Sequence, residues 1–573
     1  MQRQGHGPNL LKDVFIGEQM RKLINRSGGR ILVDALRTHG VDTAFGVAGE
    51  SYLDVLNAFY DTPEVNLVTC RQEGGASFMA ESYGKLTGKP GICFVTRGPG
   101  ACNAAIGVHT AMQGSTPMIL FVGQVARDQL GREAFQEIDY SQMFVPPITK
   151  WAAQIESAER IPEMLARAFQ VATSGRPGPV VLALPEDMLR DEVKVSDTEK
   201  YVPIVDFPGE RIMRKFSDLL MSAEKPMAIL GGSGWTEEAC KGFEAFAKSC
   251  NLPVATAFRR QDAINNRHDC YIGELGTGSN PKLLERVKES DLIIAVGTRL
   301  SEITTQGYTI LKPPVPTQKL VHIFPSAEEL GRVYQPDLAI VSDIPSFCRT
   351  LEANKSYEVE GKKWQGWLSK ARQDYLDWTE IKSRDKFELD IDGVTADLRV
   401  KLPEDVIITT DAGNFSGWAQ RYIRYGRPGR LLAPTSGAMG YAVPSAVAAS
   451  IVCPDRTVIG MMGDGGFMMT GQELATAMHM KSKPIIMLFN NGMYGTIRMH
   501  QEKNYPNRVV ATDLTNPDFT ALAQSYGANG FKVTKNDDFI PALEEAMSAD
   551  KASVIELVMD PEQITTRAKI SEL

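Results

Sequence analysis

The sequence is poor in cysteine, lacks an excess of positive charge and contains no long apolar run. Its eight cysteines are scattered over 573 residues with no C-x-x-C pair, which argues against a disulfide framework or a zinc site and favours buried thiols. The net charge is −8, whereas a nucleic-acid-binding protein usually carries a basic face. No apolar run reaches the roughly 18 residues that cross a bilayer. The first 28 residues are polar and lack the apolar segment of a secretory signal. We therefore expect a cytoplasmic protein with a flexible N-terminal arm, no membrane segment and no nucleic-acid partner.

Short apolar strands alternate with helical patterns along almost the whole chain. Examples of the strands lie at 91–96, 118–123 and 484–491. Nearly continuous apolar strands between helices indicate parallel sheets that are covered on both faces. Because the chain is too long for one core, the polar stretches near 190–210 and 352–370 are read as domain seams. The prediction is an α/β protein with three doubly wound parallel-sheet domains, at residues 28–192, 205–352 and 370–565. The first and third domains are both rich in strands and glycine.

The most informative motif is Gly-Asp-Gly at 463–465, which is followed, after 24 intervening residues, by Asn490 and Asn491. A strand precedes the motif, a helix is predicted over 470–481, and a second strand follows. This βαβ crossover would place Asp464 and Asn491 together at the carboxyl ends of parallel strands, where α/β sheets bind ligands.

These residue types suit a hard cation and a diphosphate. Asp464 offers a carboxylate oxygen, Asn491 an amide oxygen and Met493 a backbone carbonyl, and diphosphate oxygens and water would complete the six ligands that Mg²⁺ prefers. Gly465 and Gly466 open the following helix, which leaves backbone N–H groups for phosphate. Either motif alone is a common turn sequence, but both at this spacing favour a magnesium–diphosphate site.

The pattern resembles the thiamine-diphosphate signature of pyruvate oxidase, acetolactate synthase and related enzymes. Within that resemblance Glu73, directly after the strand at 65–70, matches the glutamate that shares a proton with N1′ of the aminopyrimidine ring. General acid–base help of this kind is worth about 10²–10⁴-fold in rate. Taken alone, Glu73 would be read as a surface or helix-capping residue. The histidine and glutamine that often flank the family's glutamate are here Gln72 and Gly74.

The resemblance also implies how the cofactor is held. Met439 matches the methionine that wedges between the two rings of the cofactor. Further cofactor contacts are implied at Gly49, Gly413, Asn414, Gly463, Gly465, Gly466, Met493 and Tyr494. In these enzymes the pyrimidine-binding and diphosphate-binding domains of one active site come from different subunits. The resemblance therefore implies a homodimer or homotetramer in which Glu73 of one chain faces Asp464 of another.

Within this class, the resemblance to the acetolactate synthase large subunit covers residues 30–565. Phe135 and Gln136 match its active-site Ala-Phe-Gln segment, where the phenyl packs beside the ring system and the amide donates to an oxygen of the intermediate. The resemblance implies decarboxylation of a 2-oxo acid such as pyruvate and transfer of the two-carbon unit to a second carbonyl. It also implies a place in branched-chain amino acid biosynthesis and allows a small regulatory subunit.

Several positions depart from the family pattern, all at the expected substrate entrance. Arg97 stands where the family has serine, Glu186 where it has lysine, and His500 near its tryptophan. Arg259 and Arg260 replace part of an apolar segment. The three arginines could bind a more anionic substrate, since arginine grips such groups bidentately, or they could be solvated or paired surface residues. His500 could be an acid–base group in the pocket or a plain surface histidine.

The central domain carries glycine-containing loops at 231–234 and 297–299. The resemblance implies FAD, ADP or no nucleotide there, and a glycine loop alone does not decide between them. Two alternative functions also stay open. One is another thiamine-diphosphate decarboxylase, lyase or acyl transferase, and the other is a non-catalytic binding protein on this fold.

Overall fold

The computed structural model describes residues 24–353, 361–426 and 428–573. It contains three six-stranded sheets in which every pairing is parallel, so the predicted fold class is confirmed. The predicted N-terminal arm falls largely on residues 1–23, and part of the second seam falls on 354–360; both stretches lie outside the described residues. Of the helices in the described part, none combines the length and apolarity required to cross a bilayer.

The N-terminal sheet has the strand order β3-β2-β4-β5-β7-β6, and a separate antiparallel pair joins β1 to β8. The strands are β1 (Asn25–Ser27), β2 (Thr43–Gly46), β3 (Asn66–Thr69), β4 (Gly91–Val95), β5 (Met118–Gln124), β6 (Trp151–Gln154), β7 (Pro179–Pro185) and β8 (Glu192–Lys194). The helices are α1 (Gly28–Thr38), α2 (Leu53–Tyr60), α3 (Glu73–Thr87), α4 (Gly98–Gly114), α5 (Tyr140–Met143) and α6 (Ile161–Thr173).

The central sheet has the order β11-β10-β9-β12-β13-β14, which is the order of dinucleotide-binding folds. Its strands are β9 (Pro226–Leu230), β10 (Val254–Ala257), β11 (Tyr271–Leu275), β12 (Leu292–Val296), β13 (Lys319–Phe324) and β14 (Leu338–Val341). Its helices are α7 (Glu210–Ser222), α8 (Glu237–Cys250), α9 (Pro281–Glu289), α10 (Ile344–Glu352) and α11 (Gln365–Trp378).

The C-terminal sheet has the order β16-β15-β17-β18-β20-β19. Its strands are β15 (Ile407–Thr410), β16 (Leu431–Leu432), β17 (Val458–Gly463), β18 (Ile485–Asn490), β19 (Asn529–Val533) and β20 (Ser553–Val558). Its helices are α12 (Ile391–Lys401), α13 (Ser416–Tyr422), α14 (Ala442–Val452), α15 (Asp464–Thr470), α16 (Leu474–His479), α17 (Gly495–Asn504), α18 (Phe519–Ser525) and α19 (Asn536–Ser548).

The first and third sheets share one topology. In both, the strands run in the spatial order second, first, third, fourth, sixth and fifth. Each therefore reverses its winding between its first and third strands, and such a switch point forms a crevice for ligands at the carboxyl edge of the sheet. The likeness between the two strand- and glycine-rich blocks of the sequence is thus a likeness of topology.

The two outer domains pack against each other within one chain. Helices α3 and α14 lie in one hydrophobic core, where the rings of Phe78 and Tyr441 meet edge to face at 5.4 Å between centroids. The Tyr441 hydroxyl donates to Glu81 Oε2 at 2.6 Å. A paired carboxylate is tolerated at such depth because its hydrogen bonds replace those to water.

Two sequence-based expectations need correction. The helix predicted over 470–481 starts earlier, at Asp464, and a 3-10 turn at Gly471–Glu473 separates α15 from α16. The early start has a physical reason, because an acidic residue in the first turn complements the helix dipole. Not every cysteine is buried either, since Cys102 is exposed and Cys453 half-buried.

Candidate active site

A cavity of about 250 Å³ lies at the carboxyl edge of the C-terminal sheet. It is lined by ten of the predicted site residues, namely Gly413, Asn414, Met439, Gly463, Asp464, Gly465, Gly466, Asn491, Met493 and Tyr494. The other four predicted residues, Gly49, Glu73, Phe135 and Gln136, belong to the N-terminal domain and do not line this cavity. Within one chain, the structure therefore gathers the predicted diphosphate and metal residues around one cavity, and the predicted proton-sharing residue Glu73 is not part of its lining.

Strand register brings Asp464 and Asn491 together. Gly463 pairs with Phe489 at the ends of β17 and β18, so the two polar residues follow at the same sheet edge. Asp464 Oδ2 accepts from the backbone N–H of Gly492 at 2.9 Å. Asn491 Oδ1 accepts weakly from the Met493 N–H at 3.3 Å. Burial raises the pKa of Asp464, and its hydrogen bonds partly oppose that rise.

Asn516 holds this pair in place and was missed by the sequence analysis. Its Nδ2 donates to Asp464 Oδ2 at 2.8 Å and to Asn490 Oδ1 at 3.0 Å. Asn516 lies in the loop between α17 and α18, and no periodic pattern or spacing rule marks it. Only the folded loop shows that its amide orients the predicted metal ligand.

Gly465 and Gly466 line the cavity at positions where neighbouring side chains leave no room for a Cβ atom. A Cβ on Gly465 would lie 2.5 Å from Tyr494 Cε1, and one on Gly466 would lie 2.2 Å from Asp411 Oδ2. No cluster of three His, Cys, Asp or Glu side chains occurs in the described part of the chain. The available donors are instead one carboxylate, one amide oxygen and backbone carbonyls, a set that fits Mg²⁺ when diphosphate oxygens complete its shell.

A buried carboxylate holds the segment that follows Met439. Asp411 Oδ2 accepts from the Gly440 N–H at 2.9 Å, and Oδ1 accepts from the Tyr441 N–H at 3.0 Å. Burial raises the pKa of Asp411 to about 6, although these N–H groups and Arg259 oppose the rise. Asp411 ends the strand pattern at 406–411, so its position, but not its role, was visible in the sequence.

Glu73 is the first residue of α3. Gln72 caps this helix, since its Oε1 accepts from the Gly75 N–H at 3.0 Å. The half-buried Glu73 carboxylate accepts from Asn103 Nδ2 at 2.9 Å. This arrangement orients one carboxylate oxygen and leaves the other with no hydrogen bond inside the described chain.

Gly49 lies in the same region as Glu73. A Cβ on Gly49 would meet Thr96 Cβ at 2.6 Å and Tyr52 Cε1 at 3.0 Å. Burial raises the pKa of Tyr52, and the charge of Glu73 adds a smaller upward contribution. Gly49, Tyr52 and Glu73 therefore belong to one group of residues at the carboxyl edge of the N-terminal sheet.

Phe135 and Gln136 lie on a loop beside the start of α4. The Gln136 carbonyl accepts from the Gly98 N–H at 3.0 Å, and Gln136 adopts a left-handed φ of 65°. Phe135 is 73% exposed. Helix α4 also carries Asn103, which donates to Glu73. The loop and the Glu73 carboxylate are therefore both hydrogen-bonded to α4.

The departures from the family pattern at Arg97 and Glu186 compensate each other. The two side chains form an ion pair, and Arg97 Nη1 also lies 3.2 Å from Glu50 Oε1. Arg97 is buried, so the solvated alternative is wrong for this residue, whereas the alternative of a paired arginine is confirmed. Its charge is balanced locally by carboxylates.

Arg259 and Arg260 are also buried, and the solvated-surface alternative is wrong for them too. Arg259 donates to the carbonyls of Pro434 and Asp411, at 2.5 and 3.0 Å, and so ties the central domain to the C-terminal one. Arg260 Nε lies 3.8 Å from an oxygen of Asp262. His500, in contrast, is an exposed residue on α17.

A second cavity, of about 210 Å³, lies between the N-terminal and central domains. Both predicted glycine loops contribute to it through Gly232 and Gly297. Arg299 closes one side, where its Nη2 donates to the Gln113 carbonyl at 2.7 Å. The cavity lies at the carboxyl edge of a dinucleotide-type sheet, which is where such folds bind nucleotides.

Comparison with known protein families assigns all three domains. Residues 26–143 match the family described as the thiamine pyrophosphate enzyme N-terminal TPP binding domain. Residues 213–351 match the central domain of those enzymes, and residues 411–557 match their C-terminal TPP binding domain. The fold and the site thus define a thiamine pyrophosphate enzyme.

Individual relatives narrow this class. The chain is 32% identical to the probable acetolactate synthase large subunit of Methanocaldococcus jannaschii, across 93% of this chain and 92% of that protein. It is 31% identical to the acetolactate synthase isozyme 2 large subunit of Escherichia coli, across 93% and 96%, and 28% identical to the acetolactate synthase of Bacillus subtilis, across 95% of both. The chain belongs to the acetolactate synthase family.

Proposed function

We propose that this protein decarboxylates a 2-oxo acid such as pyruvate and transfers the two-carbon unit to a second carbonyl, with thiamine diphosphate and Mg²⁺ as cofactors. The observation that carries the proposal is the single cavity that joins Asp464 and Asn491 to Met439. The relatives named acetolactate synthase support the same reaction class. When bound, thiamine diphosphate would take up the electron pair of the carbon–carbon bond that breaks as carbon dioxide leaves.

The C-terminal residues have binding roles in this proposal. Asp464, Asn491 and the Met493 carbonyl would hold Mg²⁺, and the ion would in turn bind the diphosphate. Asp411 keeps the backbone after Met439 in place, so that the thioether would be positioned to contact the cofactor; methionine suits an irregular gap. The remaining contacts to the diphosphate or the rings come from Gly413, Asn414, Gly463, Gly465, Gly466 and Tyr494.

The N-terminal residues have proton-handling and positioning roles. Glu73 would hold a proton at the pyrimidine nitrogen through the carboxylate oxygen that does not accept from Asn103. Gln136 donates a hydrogen bond to the substrate-derived oxygen, and Phe135 packs beside the rings. Gly49 permits close approach of the pyrimidine ring.

We propose that a second subunit brings these two sets of residues together. In a single chain, Glu73 does not line the cavity of Asp464, so we propose a homodimer or homotetramer in which the sites form between chains. The segments 28–192, 205–352 and 370–565 would then act as the pyrimidine-binding, central and diphosphate-binding domains.

We also propose a nucleotide ligand and a partner subunit. The cavity at Gly232 and Gly297 supports a nucleotide such as FAD in the central domain. Flavin absorbance in the purified protein would support this assignment, and absence of flavin absorbance after reconstitution with FAD would contradict it. The relatives' designation as large subunits supports a small regulatory subunit, which co-purification from the native cell would detect.

The decisive experiment is to incubate the purified protein with thiamine diphosphate, Mg²⁺ and a panel of 2-oxo acids, and to identify products by mass spectrometry. We expect pyruvate to give a 2-hydroxy-2-methyl-3-oxo acid. Free aldehyde would indicate a simple decarboxylase instead. A more anionic donor is less well supported, because Glu186 and Glu50 already pair with Arg97. Absence of both turnover and cofactor binding would overturn the proposal and favour a non-catalytic protein.

A further inference from the structure

A small cavity between the central and C-terminal domains is lined by four arginines and, among the residues that the structure describes, by no acidic side chain. Its volume is about 140 Å³. Arg399 comes from α12, Arg424 and Arg430 come from the chain after α13, and Arg267 comes from the central domain. The other lining residues are apolar. The family comparison assigns no ligand to this place, which is distinct from both cavities described above.

Two of the arginines are anchored by neutral groups. Arg430 donates through Nε to the Val406 carbonyl at 3.2 Å and through Nη2 to the Pro403 carbonyl at 3.3 Å. Arg399 Nη1 donates to the Thr379 carbonyl at 2.9 Å. Carbonyls fix the direction of a guanidinium group but leave its charge unbalanced.

The other two arginines are available for a ligand. Arg424 is half-buried, and its Nε is buried without a hydrogen-bond partner in the described chain. Arg267 is exposed at the rim, and within the described residues its guanidinium likewise has no ion-pair partner. A buried donor without a partner costs free energy that a bound acceptor would recover.

The four charges act on one another. Burial lowers the pKa of Arg399, and Arg424 and Arg267 lower it further. Burial also lowers the pKa of Arg430, with Arg267 as the next cause, although Asp405 and Tyr425 oppose this. Like charges at short range are costly in a partly buried setting, and an anion of two charges would relieve that repulsion.

We propose that this cavity binds the phosphate group of a small phosphate ester through Arg424 and Arg267. Arginine matches phosphate oxygens in a bidentate manner. The rest of the ester would lie in an adjoining cleft of about 610 Å³, which shares Arg399 and Arg424 with the cavity. That cleft offers apolar surface at Leu376 and Ile381 and acceptors at Asp377 and Glu380. The bound phosphate would link the central and C-terminal domains.

Isothermal titration with inorganic phosphate and with glycerol 3-phosphate tests the proposal. The protein is first saturated with thiamine diphosphate and Mg²⁺, so that the catalytic site is occupied. We expect both probes to bind, and the ester to bind more tightly because it also fills the cleft. Arg424→Gln and Arg267→Gln should each weaken binding by about tenfold or more, since each removes charge-assisted hydrogen bonds.

The matched control is Arg214→Gln, which removes an exposed charge on α7 and should leave both affinities unchanged. Neither Arg424 nor Arg267 has a side-chain hydrogen bond in the described chain, so both variants should fold; thermal unfolding checks this. Failure of inorganic phosphate to bind the wild-type protein would overturn the proposal. Equal affinities in wild type and both variants would do the same, and equal affinities for the two probes would remove the placement in the cleft.

Discussion

Glu473 Oε1 accepts a hydrogen bond from the backbone N–H of Gln72 at 3.0 Å. The same carboxylate accepts from the Arg71 N–H at 3.1 Å and from the Thr476 hydroxyl at 2.6 Å. Glu473 is fully buried, and it lies just after α15, the helix that starts at Asp464. The residues directly before Glu73 are therefore held by the C-terminal domain of the same chain.

The first prediction concerns this contact. Glu473→Gln keeps the size of the side chain but replaces one acceptor oxygen with an amide donor, so it cannot accept all the bonds that the carboxylate accepts. We expect stability to fall by about 1–3 kcal/mol. Because the backbone of Arg71 and Gln72 would be held by fewer hydrogen bonds, we also expect a lower kcat with little change in KM for the 2-oxo acid. Steady-state kinetics and urea unfolding measure the two effects.

If Glu473 had only a structural role, Glu473→Gln would lower stability and leave kcat per folded enzyme unchanged. That outcome would contradict the positioning role. Glu545→Gln, on the exposed face of α19, is the matched control and should change neither quantity.

The second prediction is that Glu73→Gln lowers kcat by about 10²–10⁴-fold, the usual contribution of general acid–base catalysis. The amide oxygen of the new side chain can still accept from Asn103, so local structure should survive. Thiamine diphosphate affinity, measured by titration, should change little. Wild-type rates in this variant would remove the proposed proton-sharing role.

The third prediction tests the intersubunit site. Glu73→Gln chains and Asp464→Ala chains are each expected to be nearly inactive. After random reassociation into dimers, half of the dimers are mixed, and each mixed dimer holds one intact site. Activity should therefore return to about one quarter of the wild-type value. If mixing restores nothing while mass spectrometry detects mixed dimers, the site lies within one chain.

The fourth prediction concerns the metal. Asp464→Asn preserves an acceptor for the Gly492 N–H but removes the negative charge that a divalent cation prefers. We expect the Mg²⁺ concentration for half-maximal activation to rise at least about tenfold, with partial recovery at high Mg²⁺. Titrations of activity against Mg²⁺ measure this. Asp550→Asn, at an exposed position, serves as the control, and an unchanged Mg²⁺ requirement in Asp464→Asn would contradict the assignment.

The fifth prediction concerns pH. Burial raises the pKa of Asp411 from 3.8 to about 6 in the folded protein. Between these values the folded state binds more protons than the unfolded state, so this group's contribution to stability falls as pH rises. Asp411→Asn removes that titration. The stability of wild type relative to the variant should decline from about pH 4 to about pH 6 and then level off. Urea midpoints at stepped pH values test this, and an increase over that range would contradict it.

Much of the site was predictable because its residues follow strands. Gly463, Asp464 and Asn491 come directly after apolar runs, and parallel strands bring their carboxyl ends to one edge. Sequence spacing alone could therefore place the predicted metal ligands together. Asn516 and Glu473 were not predictable, since a loop and a turn bring them to their partners and no local pattern encodes such contacts.

The arginines show the same division between what the sequence predicts and what only the tertiary structure decides. The sequence identified Arg97, Arg259 and Arg260 as departures, yet it left open whether they were solvated or bound to an anion. Tertiary contacts settled that all three are buried, and that Glu186 and Glu50 pair with Arg97. The cluster around Arg424 was not noticed in the sequence, because its members come from separate segments of two domains.

By itself, the amino-acid sequence determined the class of fold and the order of its three sheets along the chain. It could do so because strand hydrophobicity, glycine turns and acidic strand ends are properties of short, local segments of the chain. The tertiary structure alone decided which carboxylates are buried, which charges are balanced and which predicted site residues share a cavity. Those properties depend on desolvation and on distances between remote segments, and they arise only when the chain packs.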